Sequence, residues 1–255
     1  MPSLTLAGDG ISWTREAAEL VRLARRVGQS AGLEHSIKIA AGGIDARRFL
    51  TSSAVRPDFR DALDAGLAAL AFPAALKAPL AESLARARFL HLGYAEPDGM
   101  PVVKLYCEAA PSPGTRVRMH ESFKWRPRDG RFVRDDYWLV QGLDAAGLRA
   151  RLAASLEDGP VCDAARALLD QALERADAAD LFFLEVVRDG VPRSCDLRLY
   201  DAGLTLADAG PAAYAVADAL GAGPVRLTAR EGASLGHVSA GAGFLTLYYG
   251  AEDLA

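Results

Sequence analysis

Cysteine is scarce in this sequence. Cys107, Cys162 and Cys195 are the only three among 255 residues, and no two of them form a Cys-x-x-Cys pair. An odd number of widely spaced cysteines argues against a disulfide framework and favours reduced core thiols in a cytoplasmic protein. Long apolar runs are lacking too. Because crossing a bilayer takes ~20 apolar residues, we expect no membrane span. The N-terminus shows no basic segment followed by an apolar run, so we expect no signal peptide.

The chain also lacks an excess of charge of one sign. It carries 33 acidic and 29 basic residues, a net charge of −4. Dedicated nucleic-acid binders usually carry a basic excess, so we expect no nucleic-acid partner. The four histidines, at positions 35, 91, 120 and 237, show no metal-ligand spacing. The pair Asp135-Asp136 lacks the further aspartate of a Mg²⁺-binding motif, since Leu139 stands in its place.

What the sequence does have is apolar content and periodicity. Hydrophobic residues make up 51% of the chain, and no linker separates two compositions, so we predict a single domain over residues 1–255. Helical spacing predicts helices at 13–27, 58–72, 78–85, 144–156, 161–176 and 210–220, with Thr14 as the start signal of the first. Extended patterns predict strands at 4–7, 33–39, 45–52, 88–94, 101–108, 116–125, 132–140, 181–188, 191–200, 225–230, 235–240 and 244–249.

Strand pairs therefore alternate with helix pairs along the chain. Short turns such as Glu96-Pro97-Asp98-Gly99 and Asp189-Gly190 join the strands within pairs, which favours antiparallel neighbours. Two α+β architectures fit this order. One is an open sheet with helices on one face, and the other is a closed barrel with the helices outside. The residues that alternate within the strands decide between them.

The first long strand carries a polar row. Period two places Glu34, Ser36 and Lys38 on one face, and Leu33, His35, Ile37 and Ile39 on the other. We interpret His35 as a packed histidine because it shares the apolar face. Such a polar row is ordinary if it faces water, but it indicates a functional site if it points into a barrel lumen.

Later strands show similar alternating rows of polar side chains. Lys104 and Tyr106 share one face, and Asp196, Arg198 and Tyr200 share another. In the last strand, Thr246 and Tyr248 lie opposite an apolar face. A solvated sheet face rarely repeats such a set, so we predict a closed barrel whose lumen carries it. His237 is a further candidate for the lumen. Lys124 is another, although its run Phe123-Lys124-Trp125-Arg126 would also suit base stacking.

Cations interleaved with tyrosines suit one kind of chemistry in particular. Lysine and arginine bind phosphates through charge-assisted hydrogen bonds. The faces of tyrosine rings stabilise a nearby cation by up to ~2 kcal/mol when water is excluded. Ionisation of an allylic diphosphate needs both, because the leaving diphosphate is anionic and the allylic fragment is cationic.

Leu-Glu-His-Ser-Ile-Lys at 33–38, together with the Lys-x-Tyr and Arg-x-Tyr strands, resembles the aromatic prenyltransferases of the ABBA type. The resemblance is nearest to the compact bacterial enzymes, including those that prenylate cyanobactin peptides. It implies a closed antiparallel barrel of about ten strands, surrounded by helices, that holds prenyl diphosphate and acceptor in its lumen.

The resemblance also implies residue roles. Glu34 becomes the base that takes the acceptor proton. Diphosphate binding falls to Arg48 (or Arg47 if the register slips), Lys104 and Arg198, and shielding of the carbocation to Tyr106, Tyr200 and Tyr248. Asp196 departs from the pattern, because fungal relatives often place a base there. The departure predicts a Mg²⁺ ion that bridges diphosphate and carboxylate.

We therefore predict a monomeric enzyme of natural-product biosynthesis or peptide modification. It transfers a dimethylallyl or geranyl group from an allylic diphosphate to an aromatic, hydroxyl or peptide side-chain acceptor. The alternative is a non-catalytic barrel that carries an isoprenoid or other amphipathic ligand. Glu34 counts against the alternative, because a carrier needs no base beside its anionic site.

Overall fold

The computed structural model describes residues 13–28, 32–110, 112–227 and 230–253. The strand predicted at 4–7 lies outside these ranges. The described residues form six α-helices: α1 (Arg15–Val27), α2 (Arg60–Ala69), α3 (Lys77–Leu84), α4 (Ala145–Ser155), α5 (Pro160–Leu173) and α6 (Leu206–Leu220). Thr14 caps α1 as predicted, since its side chain accepts a hydrogen bond from the amide of Ala17. No helix in the described ranges is long and apolar enough to cross a membrane.

The described ranges also hold eleven strands. They are β1 (Gly32–Ala40), β2 (Gly43–Asp45), β3 (Phe49–Ala54), β4 (Ala87–Ala95), β5 (Val102–Ala109), β6 (Arg116–Trp125), β7 (Phe132–Val140), β8 (Phe182–Arg188), β9 (Val191–Arg198), β10 (Leu235–Gly241) and β11 (Phe244–Asp253). Each of β3 to β10 pairs antiparallel with the next strand, and β1 pairs with both β3 and β11. The sheet therefore closes on itself, which confirms the predicted barrel.

The barrel has ten staves, because β2 and β3 are two segments of one stave. Both pair with β1: Lys38 lies opposite Asp45 in β2, and Glu34 lies opposite Leu50 in β3. The pairing register with β1 shifts by one residue between β2 and β3, so the stave contains a bulge at 46–48. The single strand predicted at 45–52 is thus interrupted. Bulges of this kind re-aim a side chain, and here they re-aim Arg48.

The apolar face of each stave packs against the helices. Ile37 and Ile39 belong to a buried cluster with side chains of α4, α5 and α6. Phe49, Leu92 and Leu105 belong to a second cluster with α1, α2 and α3. Since side chains alternate along a strand, the residues between them face the lumen. The hydrophobic core is therefore a shell around the barrel, and the polar rows point inward.

Two predicted strands differ from the structure. The strand predicted at 191–200 ends at Arg198, because the chain turns into a short 3₁₀ helix at Tyr200–Ala202 that Gly203 closes in the left-handed region (φ +59°). The strand predicted at 225–230 is wrong for the residues described there, since 225–227 are irregular. In a closed barrel both edges of every stave are occupied, so an extra extended segment finds no partner.

Candidate active site

The lumen contains two cavities that share a wall. The larger has a volume of about 530 Å³ and the smaller about 130 Å³. Two cations and three tyrosines line both of them: Arg48, Lys104, Tyr106, Tyr137 and Tyr248. We call this set the junction. A molecule that reaches from one cavity to the other passes these five side chains.

The larger cavity is strongly basic. Eight of its lining residues are cationic: Lys38, Arg48, Lys104, Lys124, Arg126, Arg131, Arg188 and Arg193. Its lining contains one acidic residue, Asp135, which is already paired with Lys124 Nζ at 2.6 Å and Arg188 Nε at 2.6 Å. Three of the other cations contact carboxylates outside the lining, but the excess of positive charge still makes the cavity a site for a multiply charged anion.

Lys104 lies among the other cations of this cavity. It is partly buried on β5, opposite Gly93 on β4, where an added Cβ would lie 3.3 Å from the Lys104 Cβ. Burial lowers the pKa of Lys104 well below its usual range, and the neighbouring charges of Arg48, Lys124 and Lys38 lower it further. No carboxylate among the described residues forms an ion pair with it. The site therefore favours a bound anion beside Lys104.

The bulge at 46–48 decides between the two neighbouring arginines. Arg48 is 6% exposed, and it donates hydrogen bonds to Ser36 Oγ at 3.2 Å and to Asp45 Oδ2 at 3.3 Å. Arg47 is exposed and pairs instead with Glu96 at 3.1 Å. Arg48, rather than Arg47, thus lies in the lumen.

Glu34 lies in the smaller cavity and is 7% exposed. The hydroxyl of Tyr200 donates a hydrogen bond to its Oε1 at 3.1 Å, and His237 Nδ1 lies 3.6 Å from its Oε2. The His237 ring stacks on Tyr248, with centroids 3.7 Å apart. Burial alone would raise the pKa of Glu34. The contacts with His237 and Tyr200 outweigh burial and hold the pKa below the usual value, so the carboxylate is ionised and able to accept a proton.

The contact between Tyr200 and Glu34 depends on a glycine. An added Cβ at Gly236 would lie 2.5 Å from Glu34 Oε1 and 2.5 Å from the Tyr200 ring. Gly236 sits where the register between β10 and β11 shifts by one residue. The bulge and the missing side chain together let the tyrosine approach the carboxylate.

Arg198 and Asp196 line the smaller cavity but not the larger one. Arg198 reaches across the lumen from β9 to β6, where its NH2 donates to His120 Nε2 at 2.5 Å. It also lies 3.7 Å from Glu108 Oε2. Asp196 Oδ1 is buried without a hydrogen-bond partner. Arg198 thus shares the smaller cavity with Lys104 and Arg48, but of these three predicted diphosphate ligands it is the one that does not line the larger cavity.

The predicted tyrosines divide in the same way. Tyr106 and Tyr248 belong to the junction, whereas Tyr200 is 52% exposed and lies at Glu34. Tyr137, which the sequence prediction missed, completes the junction: its ring packs edge-on against Tyr106 with centroids 5.7 Å apart, and its hydroxyl accepts from Lys124 Nζ at 3.1 Å.

Other lumen residues that the prediction missed lie on β4 to β7 and on β8 and β9. They are His91, Glu108, His120, Asp135, Arg188 and Arg193. Part of the signal was present in the sequence. Period two from Lys124, a candidate for the lumen, leads to Ser122 and His120 on the same face of β6.

Comparison with known proteins bears on the fold. No known protein family matches the sequence, and no curated protein matches it. Among solved structures, the chain is similar to an aromatic prenyltransferase, 6-dimethylallyl tryptophan synthase, with a TM-score of 0.59. The two are 12% identical, and the match covers 85% of this chain and 80% of the other. The fold is therefore the ten-stranded ABBA-type barrel with surrounding helices that the sequence predicted. Nothing in this likeness distinguishes the compact bacterial branch.

Proposed function

We propose that this protein is a prenyltransferase that moves an allylic group from its diphosphate to a nucleophilic acceptor. One observation carries the proposal: a basic cavity and a cavity with a buried carboxylate share a wall of two cations and three tyrosines. Prenyl transfer needs the same arrangement: a site for the diphosphate, aromatic rings beside the carbocation, and a base beside the acceptor. The similarity of the fold to that of an aromatic prenyltransferase supports the same conclusion.

The diphosphate lies in the larger cavity in this proposal, with its reacting end at Lys104 and Arg48. Its carbon–oxygen bond breaks, and the electron pair leaves with the diphosphate, whose charge the cations stabilise. The allylic cation forms beside Tyr106, Tyr137 and Tyr248, whose ring faces stabilise it and exclude water.

The acceptor lies in the smaller cavity and supplies the electron pair of the new bond. Its proton then passes to Glu34, the only described carboxylate that Tyr200 and His237 both contact. A proton released from a ring that has just gained an alkyl group is acidic, so a carboxylate with a lowered pKa is a sufficient base. Tyr200 acts here chiefly by orienting Glu34, and Arg198 by contacting the acceptor side or the near end of the diphosphate.

Mg²⁺ is compatible with these residues through Asp196. Its buried oxygen without a partner is a hard oxygen ligand of the kind that Mg²⁺ prefers, and phosphate oxygens would supply others. The ion would add positive charge at the leaving group. The protein cations of the larger cavity provide the main charge in any case.

The finer predictions stay proposals. They are a dimethylallyl or geranyl donor, an aromatic, hydroxyl or peptide side-chain acceptor, and kinship with the compact bacterial enzymes of natural-product and peptide modification. A monomeric state, a single domain over 1–255 and a cytoplasmic location belong with them.

The test is incubation of the purified protein with dimethylallyl or geranyl diphosphate and a panel of indoles, phenols and aromatic peptides. Mass spectrometry should detect an acceptor with one added prenyl group, and calorimetry should detect diphosphate binding. If diphosphate binds but neither prenyl transfer nor slow hydrolysis to the free alcohol is detected, even at high protein concentration, the result favours the carrier. If neither diphosphate binding nor prenyl transfer is detected, both the enzyme and the carrier hypotheses are refuted.

A further inference from the structure

The smaller cavity contains a second polar cluster that prenyl transfer does not require. His91 on β4, Glu108 on β5 and His120 on β6 lie on three consecutive staves. One nitrogen or oxygen atom from each lies within 4.8 Å of the other two. In the described part of the chain, no other group of three His, Cys, Asp or Glu side chains converges in this way.

The distances within the cluster are close to those of a coordination sphere. Glu108 Oε2 lies 2.9 Å from His91 Nε2 and 3.5 Å from His120 Nδ1. Around tetrahedral Zn²⁺, with bonds of ~2.0–2.1 Å, ligand atoms are about 3.3 Å apart. Small rotations of the three side chains are therefore enough to place an ion between them.

His120 supplies an independent sign of a missing ligand. The residue is 5% exposed, and its Nδ1 is buried without a hydrogen-bond partner. A buried polar atom that is left unsatisfied costs free energy. Because Nε2 accepts a hydrogen bond from the Arg198 guanidinium, the ring is neutral and carries its proton on Nδ1. A neutral imidazole is the form that binds metal ions.

His91 is oriented in the manner of a metal ligand. Its Nε2 donates to Glu108 Oε2 at 2.9 Å, and its Nδ1 lies 2.7 Å from Ser52 Oγ, so a metal ion that takes the place of the Nε2 proton leaves Nδ1 able to donate to the hydroxyl. Partners of this kind fix the tautomer and the ring plane of ligating histidines.

We propose that His91, Glu108 and His120 form a binding site for a first-row transition-metal dication, represented by Zn²⁺, with an open coordination position towards the smaller cavity. Two imidazoles and one carboxylate suit Zn²⁺, Fe²⁺ or Co²⁺, whereas Mg²⁺ and Ca²⁺ prefer oxygen ligands. Three protein ligands leave a position for water or for an acceptor heteroatom. The site is separate from the Mg²⁺ proposed at Asp196.

Arg198 opposes metal binding. If His120 binds the metal through Nδ1, the ring proton must move to Nε2, which then faces the Arg198 NH2 donor, 2.5 Å away in this structure. The guanidinium also lies 3.7 Å from Glu108 Oε2, close to where the dication would sit. Binding therefore requires Arg198 to move away. Arg198→Gln should bind Zn²⁺ more tightly, because it removes the charge and offers an amide oxygen to Nε2.

The experiment uses the full chain, free of affinity tags and treated with chelator, without any prenyl substrate. Calorimetry should find one equivalent of Zn²⁺ bound, and Co²⁺ should give visible absorption bands; millimolar Mg²⁺ should not compete. Glu108→Gln and His120→Ala should weaken binding on the order of 100-fold, and Ser52→Ala about tenfold. Arg198→Gln should strengthen it roughly tenfold. His237→Gln, a histidine change in the same cavity, is the matched control and should leave it unchanged.

Absence of Zn²⁺ binding in the parent protein would overturn the proposal, as would equal binding in Glu108→Gln and His120→Ala. Circular dichroism checks that each variant folds. If the ligand variants do not fold, Arg198→Gln decides, since unchanged or weaker binding contradicts the geometry. The outcome is independent of prenyl transfer because no diphosphate is present.

Discussion

Replacing Lys104 by methionine should stabilise the protein while it weakens the binding of diphosphate. Lys104 is surrounded by Arg48, Lys124 and Lys38, and its ammonium has no carboxylate partner among the described residues. Methionine keeps the length of the side chain and removes the charge. Replacing buried charges by apolar groups of similar volume often stabilises proteins by 1–4 kcal/mol. We expect ~1–2 kcal/mol, which for a chain of this size corresponds to an increase in Tm of roughly 2–8 °C.

The effect on stability should depend on pH in a defined direction. The pKa of Lys104 is lowered in the folded protein, so the unfolded chain binds more protons between that pKa and the ordinary value of about 10.4. The cost of burying the charge is therefore fully present below the folded pKa and disappears as pH rises through about 10.4. The Tm advantage of Lys104→Met should shrink over this window.

Binding should change in the opposite direction to stability. Loss of one charged hydrogen bond costs about 1.5–3 kcal/mol, or roughly ten- to hundredfold in the Kd of inorganic pyrophosphate measured by calorimetry. Lys77, which is exposed on α3, provides the matched control: Lys77→Met should change neither Tm nor Kd. A lower Tm for Lys104→Met, or an unchanged Kd, would refute the reasoning, because it would mean that Lys104 is already compensated in the free protein.

Three further changes test the rest of the lumen and its shell. Glu34→Gln should lower kcat by about 10²–10⁴ with pyrophosphate affinity nearly unchanged, and full turnover would remove Glu34 from the mechanism. Asp196→Arg should reduce the dependence of the rate on Mg²⁺. Equal rates of the parent protein in EDTA and in millimolar Mg²⁺ would contradict the proposed role of Asp196. Ile37→Asp should unfold the protein in a thermal scan, because it buries an unpaired carboxylate in the outer shell.

Much of the barrel could be predicted because period two is a strong signal. The alternation in β1 separated Glu34 and Lys38 from Ile37, and the same rule identified Lys104, Tyr106 and Tyr248. Closure of the sheet was predicted from the repetition of that set. Both inferences used only the alternation within each strand, so neither required knowledge of which strands pair.

The cluster of His91, Glu108 and His120 could not be predicted in this way. These residues are 17 and 12 positions apart in sequence, and their meeting depends on the register of two hairpins. In that register His91 lies opposite Tyr106 across β4 and β5, and Glu108 lies opposite His120 across β5 and β6. A one-residue shift moves a side chain to the other face of a strand, so the register had to be known before the cluster could be seen.

Tyr200 illustrates a different limit of strand periodicity. The rule carried Asp196 and Arg198 inward correctly, but the chain leaves the strand after Arg198 and turns at Tyr200–Ala202. The tyrosine still reaches Glu34, because Gly236 on the neighbouring strand leaves space for its ring. The contact therefore depends on the turn and on an absent side chain together, and periodicity within a single strand encodes neither. Since this contact helps to keep Glu34 ionised, the environment of the proposed base depends on residues outside the β1 pattern that identified Glu34.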